Sequence, residues 1–244
     1  MFKKILILFL LFANISHAKD STNLTIFAES NLSVPIVKIV REYSKANNVI
    51  ISINFQSSFD LIERIDDGEP ADIFISSHQD WVNVLKQKGL IDIYSISNIA
   101  QDNLVLVTSN QNQRFFDKKI DSKNIEETFK EVGNMQYGII AESEYKSLGK
   151  YSSKIIKKYN IKPHTVFRKL NEDKKSIIDF VSESKNLFAL VLESGILPDD
   201  DVKIIAKIPD IEINYQASAI AGNNMELARD FIKYLEDVEF KKYF

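Results

Sequence analysis

Three short segments place small polar residues at the turn from an apolar run into an amphipathic one. They are Ala28-Glu29-Ser30-Asn31-Leu32, Phe55-Gln56-Ser57-Ser58-Phe59, and Ser143–Gly149 ahead of Tyr151. The chemistry open to such segments is anion capture. The start of a helix presents unpaired backbone N–H groups and the positive end of the helix dipole, and a serine or asparagine there adds a side-chain donor. Each segment alone also reads as an ordinary cap, because Ser, Asn and Asp are the usual N-cap residues. Several of them at equivalent strand ends shift the balance toward a shared ligand.

Covalent and metal chemistry find less support. The seven glycines include no Gly-x-Gly and no pair four apart, which excludes dinucleotide and kinase loops and the nucleophile elbow of serine hydrolases. Gly133 and Gly138 have the separation of a phosphate loop, but Ile139-Ile140 follows where Lys-Ser/Thr is required. His78 and His164 stand far apart, and neither has a second metal ligand nearby in sequence. Asp72, in Gly68-Glu69-Pro70-Ala71-Asp72, lacks a neighbouring acid or base and reads as a turn residue. Ser76-Ser77 is placed to cap the helix that holds Trp81, and Trp81 reads as core with Val84 and Leu85.

The elements that position these residues follow from hydrophobic periodicity. Leu24–Ala28 reads as a buried strand and Ser33–Asn47 as a helix. The strand Val49–Phe55, the helix Phe59–Asp66, the strand Asp72–Ser76 and the helix Asp80–Lys88 come next, with Gly89 as a C-terminal cap. The pattern then restarts with Leu104–Thr108, a helix at Ile125–Glu131, a strand at Tyr137–Ala141 and a helix at Ser147–Tyr159. A strand at Val166–Leu170, a helix at Lys174–Ser182 and a strand at Leu187–Leu192 complete the second unit. Ile213–Ala221 gives one more strand and Asn224–Leu235 a terminal helix. Such alternation predicts an α/β fold of two lobes, each a mixed, mainly parallel sheet covered by helices, with ligand contacts at the carboxyl ends of strands. No flexible linker separates the units, so two crossover strands, Asn103–Thr108 and Tyr215–Ala219, are expected to join them. The first lobe then comprises residues 19–104 plus 217–244, and the second residues 105–216.

Composition sets the compartment. Lys3-Lys4, the apolar stretch Ile5–Ala13 and Ser16-His17-Ala18 read as a secretory signal peptide over residues 1–18, cleaved after Ala18. Its apolar stretch falls well short of the ~20 residues that span a bilayer. Cleavage removes two lysines and no acid, taking the formal charge from -3 to −5. A mildly acidic exported chain with scattered lysines argues against nucleic acid as a partner. The absence of cysteine excludes disulfides, thiolate chemistry and a lipid anchor, which fits a Gram-negative periplasm. At 45% hydrophobic and 27% charged, the 244-residue chain has the length and apolar content for one large or two medium cores.

Thr25-Ile26-Phe27-Ala28, Ser30-Asn31-Leu32, Phe55-Gln56-Ser57-Ser58, the string Gly68-Glu69-Pro70-Ala71-Asp72-Ile73-Phe74-Ile75-Ser76, and Trp81 resemble, in order and spacing, the periplasmic molybdate-binding proteins of ABC importers. The similarity continues more thinly through Asn103–Val107, Gly149-x-Tyr151, Leu190-Val191 and the C-terminal helix. The resemblance implies a type II periplasmic binding protein fold, two-lobed and closing around a tetrahedral oxyanion held by serine hydroxyls, backbone amides and a tyrosine. The family's second-loop serine falls on Ser58, with Ser57 beside it. Its first-loop serine falls on Asn31, with Ser30 adjacent. The third-loop amide falls near Leu148, the helix-start amide of the second lobe near Lys174, and the tyrosine on Leu192. Three positions depart from the pattern: Asn31 donates with different geometry, Lys174 replaces an apolar residue, and Leu192 has no hydroxyl.

What the resemblance implies is a monomer that captures molybdate or tungstate in the periplasm and hands it to an ABC permease in the inner membrane. It needs no cofactor and no metal beyond that of the oxyanion. The alternative is the same fold with a different small anion, suited to Asn31, Lys174 and Leu192. An exported enzyme is a third reading, disfavoured by the lack of a nucleophile–base or metal constellation.

Overall fold

The computed structural model describes residues 22–112, 125–134, 138–141, 144–161, 166–167, 176–209, 211–222 and 224–237. The proposed signal segment, Ser143, His164 and Lys174 lie outside the described residues.

The chain opens with β1 (Thr22–Glu29), a 3-10 turn over Ser30–Leu32, α1 (Ser33–Asn47), β2 (Val49–Gln56), α2 (Ser58–Asp66), β3 (Ile73–Ser76) and α3 (Gln79–Gln87). These agree with the periodicity. In α1, Ile36, Ile39, Val40 and Tyr43 recur at helical spacing and are buried, and the helix stops where Asn48 turns left-handed at φ 55. After α3, Gly89 takes φ 70, a conformation open to glycine and strained for other residues. Then come β4 (Ser97–Asp102), β5 (Leu104–Ser109), α4 (Ile125–Asn134), β6 (Gly138–Ala141), α5 (Ser147–Lys158), β7 (Val166–Phe167), α6 (Ile177–Ser182), β8 (Leu187–Leu192), β9 (Val202–Lys207), β10 (Ile213–Ala219) and α7 (Met225–Asp237).

Two five-stranded sheets result, in the orders β2-β1-β3-β10-β4 and β7-β6-β8-β5-β9. They share one plan. In each, three strands run parallel, a fourth lies antiparallel to them, and a fifth pairs antiparallel with the fourth. The fourth strand is the one arriving from the other sheet: β5 enters the second directly after β4, and β10 returns to the first after β9. The return falls between Lys207 and Ile213, because β10 already pairs with β4 from Ile213, ahead of the boundary at 216/217 read from the sequence.

Helices cover both faces of each sheet. Ile26 and Ala28 of β1 face α1 and α7, whereas Phe27 joins Leu61, Ile62, Ile65, Phe74, Val82 and Leu85 beneath α2 and α3. In the second sheet Val105, Val107, Ala189 and Val191 meet Ile177, Ile178 and Val181 of α6. The opposite face packs Leu106, Phe188 and Leu190 into the cluster that contains Phe129, Val132, Tyr151 and Ile155 of α4 and α5. Periodicity did not resolve β4 and β9. Both are edge strands, and charged or polar residues interrupt their apolar pattern: β9 carries Lys203 and Lys207, which suit an edge that must not pair further.

Candidate functional site

The carboxyl ends of β1, β2 and β3 lie side by side and carry Glu29, Gln56 and Ser76. Strand alternation puts Glu29 on the face of Phe27, toward α2 and α3. Its carboxylate is buried there, and Oε2 accepts from Ser77 N at 2.7 Å, Ser77 Oγ at 2.8 Å and Ser58 Oγ at 3.0 Å. Ser58 Oγ also lies 2.8 Å from Ser76 Oγ. A buried carboxylate needs such donors, since an unpaired charge in an apolar surround is strongly disfavoured. This arrangement displaces an expectation about α3. Ser76 and Ser77 are turned toward Glu29 and Ser58, and the helix is capped by His78, whose Nδ1 accepts from Asp80 N at 3.2 Å.

The second lobe closes over the same loop. Tyr151 of α5 donates its hydroxyl to Ser77 O at 2.7 Å and packs its ring against His78 with centroids 4.7 Å apart. Lys150 Nζ lies 3.2 Å from Asp80 Oδ2 and 4.8 Å from the centre of the Trp81 ring, and Tyr145 meets Phe59 at 6.3 Å. Trp81 therefore stands at the boundary between the lobes and not wholly within a core. Burial, then the nearby charges of Glu29 and Asp80, push the Tyr151 phenol above its usual range, so it stays a neutral donor. Ser147, one turn before Tyr151 on the same helix face, is fully buried with no partner for its hydroxyl, and His78 Nε2 is likewise buried and unpaired. A buried polar atom left without a partner calls for an explanation, and a bound ligand is one that would satisfy it.

Burial lowers His78 to about 4, with Asp80 opposing and Lys154 and Lys150 assisting. In the unfolded chain a histidine titrates near ~6.5, so between these values the unfolded state binds more protons. Stability contributed by neutral His78 is present above about pH 6.5 and is lost as pH falls toward 4. His78→Gln is expected to reduce the slope of melting temperature against pH in that window. An unchanged slope would refute the role.

Asn31, in the middle of the 3-10 turn, takes part in a separate network beside the two crossings. Its Nδ2 donates to the Tyr215 hydroxyl, which donates in turn to Asp102 Oδ2 at 3.2 Å. Ser194 Oγ donates to the same carboxylate oxygen at 2.6 Å, while Asn103 N and Ser194 N reach Oδ1 at 2.7 and 3.2 Å. The network joins both crossings, because Asp102 ends β4 and Tyr215 sits in β10. Burial raises the Asp102 carboxyl despite these donors, and the Tyr215 phenol stands well above its ordinary value through burial and Asp102. Tyr215→Phe leaves the Asn31 amide without its acceptor and is expected to cost about 1–3 kcal/mol, read as a lowered urea midpoint. An unchanged midpoint would show that the hydroxyl contributes nothing. A pocket of about 300 Å³ beside the network is lined by Val34, Pro35, Asn103, Glu193, Ser194 and Lys207 among others, and by none of Ser58, Ser77 or Ser147.

The remaining sequence candidates scatter. Ser30 is exposed, and Ser57 caps α2 by accepting from Asp60 N at 3.2 Å. Leu148 is half-buried in the first turn of α5, where a backbone N–H has no intrahelical acceptor. Leu192 ends β8 opposite Leu104 and lies in the core. Asp72 holds the fold together, accepting from Thr25 N at 2.6 Å and Asn224 Nδ2 at 2.9 Å. Sequence reasoning placed Glu29 and Ser147 within two of the candidate segments without singling them out, gave Ser77 to the cap of α3, and took Tyr151 only as a flanking residue. The signal for Glu29 was the alternation that sets it beside Phe27. Among the described residues no group of three or more His, Asp or Glu side chains could hold a metal ion, and no helix is long and apolar enough to cross a membrane.

Two sheets of the same plan, joined by two crossings and meeting through polar helix starts, define a two-lobed solute-binding protein. The chain belongs to the bacterial extracellular solute-binding protein family, whose model matches residues 24–244. It is 27% identical to the molybdate-binding protein ModA of Escherichia coli K12 over 92% of this chain and 89% of that protein. Among solved structures, a substrate-binding domain from Clostridium difficile matches with a TM-score of 0.71 at 25% identity, covering 91% of this chain and 96% of its own. The periplasmic molybdate-binding protein of Azotobacter vinelandii matches with a TM-score of 0.68 at 15% identity, over 90% and 96% of the two chains, a likeness of fold.

Proposed function

We propose that this chain captures a tetrahedral oxyanion, molybdate or tungstate, between its lobes in the periplasm and delivers it to an ABC permease of the inner membrane. The observation that carries the reading is the contact of α5 with the Ser77 loop through Tyr151: the first lobe brings buried Ser58 and Ser77 to that place, and α5 begins with the buried, unpaired Ser147 hydroxyl and its first-turn amides. The Escherichia coli relative named for molybdate supports the choice of ligand. Closing brings the two donor sets onto one ligand, so the closed state gains their combined hydrogen bonds and the permease can recognise it. No chemical step is involved. Export with cleavage after Ala18 and action as a monomer belong to the same reading.

A different small anion is the second reading. It is favoured by Leu192, an apolar side chain packed in the core that offers no hydroxyl to an oxyanion. Thermal shift with molybdate, tungstate and small organic anions separates the two: stabilisation by the metal oxyanions alone supports the first, and by an organic anion alone the second.

A further inference from the structure

We propose that the Glu29 carboxylate is a built-in occupant of the first lobe's anion seat, holding donors that an incoming oxyanion must win from it. Glu29 is 8% exposed, and one of its oxygens collects Ser77 N, Ser77 Oγ and Ser58 Oγ at 2.7, 2.8 and 3.0 Å. These donors come from the start of α2 and from the loop that enters α3, the places where this lobe presents N–H and O–H groups to its neighbour. A carboxylate oxygen and an inorganic oxyanion oxygen are the same kind of acceptor, so the two cannot use these donors together. Glu29 is tethered to the first lobe, and Ser58 and Ser77, whose donors it holds, belong to that lobe as well. The second lobe closes over Ser77 through Tyr151, yet the Ser147 hydroxyl keeps no partner. An internal carboxylate thus fills one half of the seat and leaves the other half open.

The consequence is competition. The serines stay satisfied in the empty protein, and oxyanion affinity is set by the difference between the ligand's bonds and those of Glu29, with like-charge repulsion added while Glu29 remains nearby. The inference rests on the oxyanion reading of this site.

The test uses residues 19–244 unsubstituted, as Glu29→Ala and as Glu29→Gln. Each is titrated calorimetrically with molybdate and melted with and without sodium formate. Glu29→Ala is expected to bind molybdate at least about tenfold more tightly, the worth of one charge-assisted hydrogen bond returned to the ligand. Glu29→Gln keeps the shape but loses the charge that strengthens those bonds. It gains by a smaller factor and carries the test should alanine unfold the chain. Formate, a carboxylate free to enter the vacated seat, is expected to raise the melting temperature of Glu29→Ala and not of the unsubstituted protein. Equal or weaker molybdate binding by both variants, with no response to formate, overturns the inference. A formate response with no molybdate binding in any of the three proteins supports the carboxylate seat and overturns the oxyanion reading instead.

Discussion

Phe27→Ala is expected to lower stability by about 3–5 kcal/mol, the range for truncating a fully buried phenylalanine, and to loosen the ligand site with it. Phe27 has 0% exposure in the middle strand of three parallel ones, under the α2–α3 layer formed by Leu61, Ile62, Val82 and Leu85. The Arg64 guanidinium lies 4.4 Å from the centre of its ring. Two residues further on, the same strand face presents Glu29 to the starts of those two helices. A cavity under α2 and α3 therefore moves Ser58 and Ser77 relative to β1. Urea denaturation reads the stability, and a loss below about 1 kcal/mol would mean that the site collapses around the cavity without strain.

The second large effect is on affinity and runs against the usual sign for stability. Ser147→Ala removes a hydroxyl that is buried without a partner, so the ligand-free protein is expected to melt at the same temperature or higher. The liganded protein loses a hydrogen bond to a charged group, about 1.5–3 kcal/mol, or roughly one to two powers of ten in affinity. The two shifts add, because the substitution improves the empty state and damages the full one. Calorimetry and melting on the same preparation separate them. Unchanged oxyanion affinity would show that Ser147 does not face the ligand.

Most of the fold was legible because it rests on short-range signals. Ile36, Ile39, Val40 and Tyr43 announce α1, Gly89 marks the end of α3, and the apolar Leu104–Thr108 run marks the crossing into the second sheet. The edge strands β4 and β9 were not, because their solvent-facing polar residues blur alternation, and only pairing with β10 and β5 defines them. The site was legible as a set of places more than as a set of residues. Ser58 stands at the site, but Ser57 caps α2, and Asn31 turns to Tyr215 beside the crossings. Local rules assign a serine after a strand to the next helix as its cap. They do not show that a glutamate 48 positions away in sequence holds the amide and hydroxyl of Ser77 and leaves His78 to cap α3. An acidic residue beside candidate anion donors also reads as repulsion, until the parallel register of β1 and β3 turns it into an acceptor for them.

Oxyanion capture by closure of two lobes is tested most directly by calorimetric titration of residues 19–244 with molybdate, with tungstate and sulfate in parallel. The expected result is a single saturable site for molybdate and tungstate, accompanied by a raised melting temperature. Absence of both heat and thermal stabilisation with molybdate and with tungstate would contradict it.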